Sequence, residues 1–82
     1  MVTVHRAHGF RFVIYTFDHE PPHVHVYGDG EAKIVFVGEG GLPEMLFSIG
    51  MKRPDKRRVL AEVEEHLAWF ISEWERIHDD SA

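Results

Sequence analysis

Cysteine is absent from the 82-residue chain, which excludes a disulfide framework, a thiolate zinc site and a cysteine nucleophile. Long apolar runs are missing too: the longest uncharged ones, such as "FVIYTF" at 12–17, fall far short of the roughly 20 residues that span a bilayer as a helix. The N-terminal "MVTVHRAHGF" has neither the basic nor the apolar segment of a signal peptide, so the expected location is cytoplasmic. Positive charge is scarce. Nine Lys and Arg face fourteen Asp and Glu, for a net charge of -5, which argues against indiscriminate binding along a nucleic-acid backbone. There is no internal repeat, low-complexity tract or long linker, and the length suits a single domain, 1–82, with a thin margin of stability.

The few cations are concentrated. Residues 1–50 carry three basic and six acidic side chains, 51–58 ("MKRPDKRR") five basic and one acidic, and 59–82 one basic and seven acidic. One short basic block therefore sits inside an acidic chain.

The first half reads as strands. "VTVHR" and "FRFVIYTF" are rich in β-branched and aromatic residues and are joined by the turn "AHG"; "HVHVY" follows a Pro-Pro pair, and "GDG" turns into "EAKIVFV". "GEGGLP" is a flexible connector without the length, lysine or hydroxyl of a phosphate loop, and "EMLFSI" can form a fifth strand. Residues 1–49 thus predict a meander of four or five antiparallel strands. From 54 to 78, Leu60, Val63, Leu67, Phe70, Trp74 and Ile77 recur at steps of three and four, widened by Val59 and Ile71, which predicts one long amphipathic helix with Pro54 at its first position. Residues 79–82 read as a frayed tail. The expected fold class is α+β, a small antiparallel sheet with one long C-terminal helix across one face.

Lengths and charges qualify that helix. About 25 helical residues span roughly 37 Å, whereas a seven-residue strand spans roughly 23 Å. The helix must overhang the sheet, where Trp74 and Ile77 can meet a partner chain, or it must bend. Lys52, Arg53, Lys56, Arg57 and Arg58 crowd the positive end of its dipole, and only Asp55 is well placed there. The block either grips phosphate or an acidic partner surface, or is a solvated turn offset by an Arg58–Glu62 pair.

Strand side chains alternate between faces. Val24 and Val26 belong under the helix, which sets His23, His25 and Tyr27 on the opposite face. If Phe10, Phe12 and Ile14 also face the helix, then Arg11 and Tyr15 join the histidines; Lys33 does so by the same parity, and His5 opposes Val4. The histidines on "HVH" stand about 6.6 Å apart at Cα, so both rings can reach one ion at about 2.0–2.1 Å, as zinc prefers. Asp18 or His19 is the local third ligand, and Pro21 and Pro22 stiffen the loop that carries them. Three readings stay open: a metal site, strand histidines bonded locally, or metal-free proton transfer and anion binding near the imidazole pKa of about 6.5. His66 reads as a boundary histidine paired with Glu62, and His8 and His78 as turn and end residues. No Ser–His–Asp arrangement can be argued.

"TVHRAHGFRFVIYTFDHEPPHVHVYGDGEAKIVF" together with "HLAWFISEWERIH" resembles the bacterial family catalogued as domain of unknown function 4160, over nearly the whole chain. Its most specific part is the "DHxPPHVHV" block, which Asp18, His19, Pro21, Pro22, His23 and His25 match. The resemblance implies a gene that lies beside another small family, an arrangement suggestive of toxin–antitoxin or regulatory modules. It transfers no catalytic residue. Region 38–58 varies within that family, so the basic block is not a shared feature. The expectation is a small cytosolic interaction or regulatory module that uses Arg11, Tyr15, His23, His25, Lys56, Arg57 and Arg58 to bind a small partner protein, with nucleic acid as the other ligand class. A divalent metal such as zinc on Asp18, His19, His23 and His25 is the cofactor expected, if there is one. The competing expectation is a small hydrolase or ribonuclease using His19, His23 and His25. A homodimer stands beside a monomer.

Overall fold

The computed structural model describes residues 1–79; of the expected tail, 80–82 lie outside the described residues, while Asp79 is helical. Five strands, β1 (Val2–Ala7), β2 (Phe10–Ile14), β3 (His23–Gly28), β4 (Gly30–Val35) and β5 (Glu44–Ile49), pair in sequence order as one antiparallel meander. The turns follow from local chemistry. His8 (φ 55) and Gly9 (φ 79) both take positive φ between β1 and β2, the pairing of a tight primed hairpin turn. β2 is shorter than "FRFVIYTF" predicts. The backbone N–H of Tyr15 bonds to the Asp18 carboxylate at 3.3 Å and that of Asp18 to the Tyr15 carbonyl at 3.1 Å, so local bonds displace the sheet ladder there.

Two bulges change what each edge strand presents. In β1, Thr3 opposes Val13 and His5 opposes Phe12, so Val4 is the extra residue and parity inverts past it. His5 therefore faces the helices, not the helix-free side that simple alternation predicts. In β5, Lys33 opposes Phe47 while Ile34 opposes Met45, leaving Leu46 as the extra residue.

The single helix expected over 54–78 is two: α1 (Arg53–Glu65) and α2 (Leu67–Asp79). Pro54 is the second helical residue. No proline or glycine lies at the junction. His66 alone departs from helical geometry (φ -111, ψ 28), and the flanking bonds His66 N–H to Glu62 O (3.1 Å) and Phe70 N–H to His66 O (3.0 Å) persist. Each 13-residue segment spans roughly 20 Å, which matches a six-residue strand, so the bend removes the overhang. Trp74 and Ile77, placed by the sequence near that overhang, are buried in the core instead. Neither helix is long and apolar enough to cross a membrane.

The core lies between the sheet and the helices. Phe10, Phe12, Ile14, Val24, Val26, Ala32, Ile34 and Phe36 meet Val59, Val63, Phe70, Trp74 and Ile77, which are the helical positions chosen by periodicity. Phe70 packs on Phe12 at 5.6 Å and Phe36 at 5.8 Å between ring centroids. Gly30 closes the β3–β4 turn at φ 108, and a Cβ there would meet the Gly50 carbonyl and Met51 Cα at 2.7 Å. This close approach seats the turn against the entry to α1.

Two substitutions test this packing by urea denaturation. Phe70→Ala is expected to cost about 3–5 kcal/mol. Gly30→Ala combines a disfavoured φ with a backbone clash and is expected to cost more than 1–2 kcal/mol, beyond the ordinary strain of a left-handed alanine.

Candidate functional site

β3 places His23, His25 and Tyr27 on one side, and the eight-residue β2–β3 connection, 15–22, folds back over the start of that row. Pro22 anchors it, its carbonyl accepting the Phe36 N–H at 3.1 Å; the Glu20–Pro21 peptide is cis. The outcome is a convergence of three ligating groups: His23 Nε2 lies 3.2 Å and His25 Nε2 3.5 Å from the same Asp18 oxygen, Oδ2. One ligand atom from each of the three lies within 4.8 Å of the others. Asp18 is the local third member. His19 is exposed and outside the group, so its inclusion in the expected ligand set is not borne out by the geometry.

The tautomer of His23 follows from its partners. Nδ1 lies 2.8 Å from the Pro21 carbonyl oxygen, which can only accept, so Nδ1 carries the proton and Nε2 is directed at Asp18. His23 is 4% exposed, and the Trp74 ring of α2 approaches to 5.3 Å. Parity correctly grouped the two histidines, whose rings are 5.0 Å apart, but the expectation that packing leaves both uncovered fails for His23. His25 remains partly open at 20% side-chain exposure. Burial pushes its pKa below the ordinary 6.5, against the opposing pull of Asp18, which favours the neutral ring.

A rim of polar aromatic groups continues across the sheet. Tyr15 packs edge-on to His25 at 5.1 Å and its hydroxyl bonds to that of Tyr27 at 2.8 Å. Arg11 lies over the Tyr27 ring at 5.6 Å, and Lys33 is the cross-strand partner of His25. Tyr27 also lines a cleft of about 360 Å³ with Gly28, Gly30, Glu31 and Ile49, beside exposed Phe47 and Ile49 of edge strand β5. Arg11, Tyr15, His23 and His25 are thus brought together as expected.

Lys56, Arg57 and Arg58 are not part of this surface. They lie on α1, which packs on the opposite face and begins near the β3–β4 turn, at the far end of β3 from His23. Arg58 pairs with Asp55 at 3.1 Å, not with Glu62 as expected. Glu62 instead receives His66 at 3.2 Å, as the sequence indicated, and also His5 at 2.6 Å and His8 at 3.4 Å. That histidine–carboxylate cluster escaped sequence reading. Its signal, the β1 bulge, has no sequence signature in "VTVHR".

Residues 9–75 match the family model described as "Domain of unknown function (DUF4160)". No curated protein and no solved structure matches the chain.

Burial, reinforced by the Tyr15 hydrogen bond, pushes the Tyr27 hydroxyl from 10.0 up to about 12. A raised folded-state value means that this contribution to stability is full below about pH 10 and is lost as pH climbs toward 12. In a titration of tyrosinate absorbance, Tyr15→Phe should bring the Tyr27 transition back toward 10; an unchanged transition would mean that the hydroxyl pair contributes nothing.

Proposed function

The chain belongs to the domain of unknown function 4160 family, and from that premise we propose that it is a small cytoplasmic interaction module built around a divalent-metal site on Asp18, His23 and His25. One observation carries the reading. The Nδ1–H of His23 is committed to the Pro21 carbonyl at 2.8 Å, so in the neutral ring the Nε2 lone pair meets the Asp18 carboxylate at 3.2 Å. Two acceptors at that separation need a proton or a metal ion between them. A metal ion satisfies His23, His25 and Asp18 together, because one carboxylate oxygen faces both rings.

The dimensions are compatible. Ligands held at about 2.0–2.2 Å from zinc in tetrahedral geometry lie roughly 3.3 Å apart, against 3.2 and 3.5 Å here. The Pro21 bond is the outer-shell contact that metal-binding imidazoles typically have. Zinc accepts two histidines and a carboxylate, and three protein ligands leave one position open. A carboxylate or phosphate of a partner would occupy it, flanked by Arg11 and Lys33. A partner protein fits better than nucleic acid, since the net charge is -5. A toxin–antitoxin-type pair is one setting for such a module. Lys56, Arg57 and Arg58 would contribute as a separate patch.

The same open position favours a second reading. A bound water there would be activated as a nucleophile, which would make the protein a small hydrolase or ribonuclease.

Zinc titration followed through the ring NMR signals of His23 and His25 tests the site. Both rings should shift and saturate at one equivalent, and Asp18→Asn should weaken binding by at least roughly 10-fold. Rings unmoved by stoichiometric zinc would sink the proposal. RNA cleavage by the zinc-loaded protein that disappears in His25→Ala would select the hydrolase. Capture of the neighbouring gene's product without cleavage, weakened by Arg11→Glu, would select the module.

A further inference from the structure

We propose a second divalent-cation site, formed by His5, His8, Glu62 and His66, that clamps edge strand β1 and its turn to the helix junction. Three donors, His5, Glu62 and His66, converge on one point, and His8 faces the other oxygen of the same carboxylate. His5 Nε2 is 2.6 Å and His66 Nε2 3.2 Å from Glu62 Oε2, and His8 Nε2 is 3.4 Å from Oε1. One ligand atom each from His5, Glu62 and His66 lies within 4.8 Å of the others. All three imidazoles aim the same nitrogen, Nε2, at the carboxylate.

Each donor is held by the fold. The β1 bulge turns His5 toward the helices, where Phe12 at 5.3 Å and Phe70 at 5.5 Å fix its ring edge-on. His8 occupies a left-handed turn position that directs its ring to the same carboxylate. Glu62 and His66 are one helical turn apart, and His66 is the residue at which α1 ends. A cation here would also lie at the negative end of the α1 dipole. Glu62, with 13% side-chain exposure, is well shielded, and imidazole nitrogens are donors that a borderline-soft dication accepts.

The two sites differ in coordination. Asp18, His23 and His25 provide three ligands and an opening. Three histidines and a carboxylate complete a tetrahedron, the closed arrangement of structural zinc. The His66 separation of 3.2 Å from Oε2 matches the roughly 3.3 Å edge of such a tetrahedron; His8, 3.4 Å from Oε1, would turn toward the ion, and His5 would exchange its direct hydrogen bond for a metal bond. The role assigned is stabilisation of β1, an edge strand; its His5 and the His8 of the turn that follows it precede the segment matched by the family model. The inference is independent of the first site.

The test uses the full chain carrying Asp18→Asn and His25→Ala, which disables the first site. Zinc titration should find one ion per chain, and zinc should raise the thermal midpoint by about 5 °C or more over protein held in chelator. Adding His66→Ala should abolish both effects, and His8→Asn, suited to a left-handed turn, should weaken binding at least roughly 10-fold. No zinc bound in the double variant, or binding unchanged by His66→Ala, would overturn the proposal. In the unmutated chain the His5 and His66 ring NMR signals should shift with zinc, and rings that stay in place would overturn it without reliance on any variant.

Discussion

Phe70 is the contact on which the rest of the structure depends. Its ring touches Phe12 of β2, Phe36 just past β4 and His5 of β1, so a single side chain ties the second helix to three separate parts of the sheet. Phe70 also donates the first backbone hydrogen bond past the kink, to the His66 carbonyl. Helix direction and sheet packing are therefore set at one place. A straight helix that kept Phe70 in this position would carry Trp74 and Ile77 beyond the strands. The one-residue departure at His66 lets both remain buried, and their burial stabilises the bend more than regular geometry at one residue would.

Packing divides the sheet into two unlike faces. Phenylalanine, valine and isoleucine fill the side beneath the helices. The other side holds a row of rings whose hydroxyls, imidazoles and guanidinium satisfy one another: Arg11 on Tyr27, Tyr27 on Tyr15, Tyr15 on His25, His25 beside His23. Trp74 links the faces. It belongs to the core and also covers His23, so the most buried member of the candidate site is held by the same helix that buries the hydrophobic residues.

Much of this was legible in the sequence, for identifiable reasons. Alternation in "HVHVY" and the step pattern from Val59 to Ile77 are local, and both faces followed from them. The strand order was legible because short turns such as "AHG" and "GDG" leave few other connections. What could not be read depends on pairing between distant residues. The bulge at Val4 exists because β1 must keep pairing with β2 while packing under the helices, and it moved His5 to the opposite face. The choice of Asp18 over His19 depends on the path of the 15–22 loop, fixed by backbone bonds to Tyr15 and to Phe36. The kink at His66 has no proline or glycine to announce it. Glu62, expected to offset Arg58, instead gathers three histidines, and its contact with His5 spans 57 residues of sequence.

That span separates the two histidine clusters in a way that concerns how the chain folds. Everything from Arg11 to Lys33 lies on three consecutive strands joined by short connections, so the Asp18 cluster requires only small loops to close, at little entropic cost. The Glu62 cluster cannot assemble until the C-terminal helices dock on a finished sheet. Nearest-neighbour strand order keeps contact order low for a β-containing domain, a property of fast folders. The Asp18 surface is thus local in sequence, with the Trp74 ring over His23 its contribution from the helices. The β1–helix contact, by contrast, closes the longest loop of the two clusters.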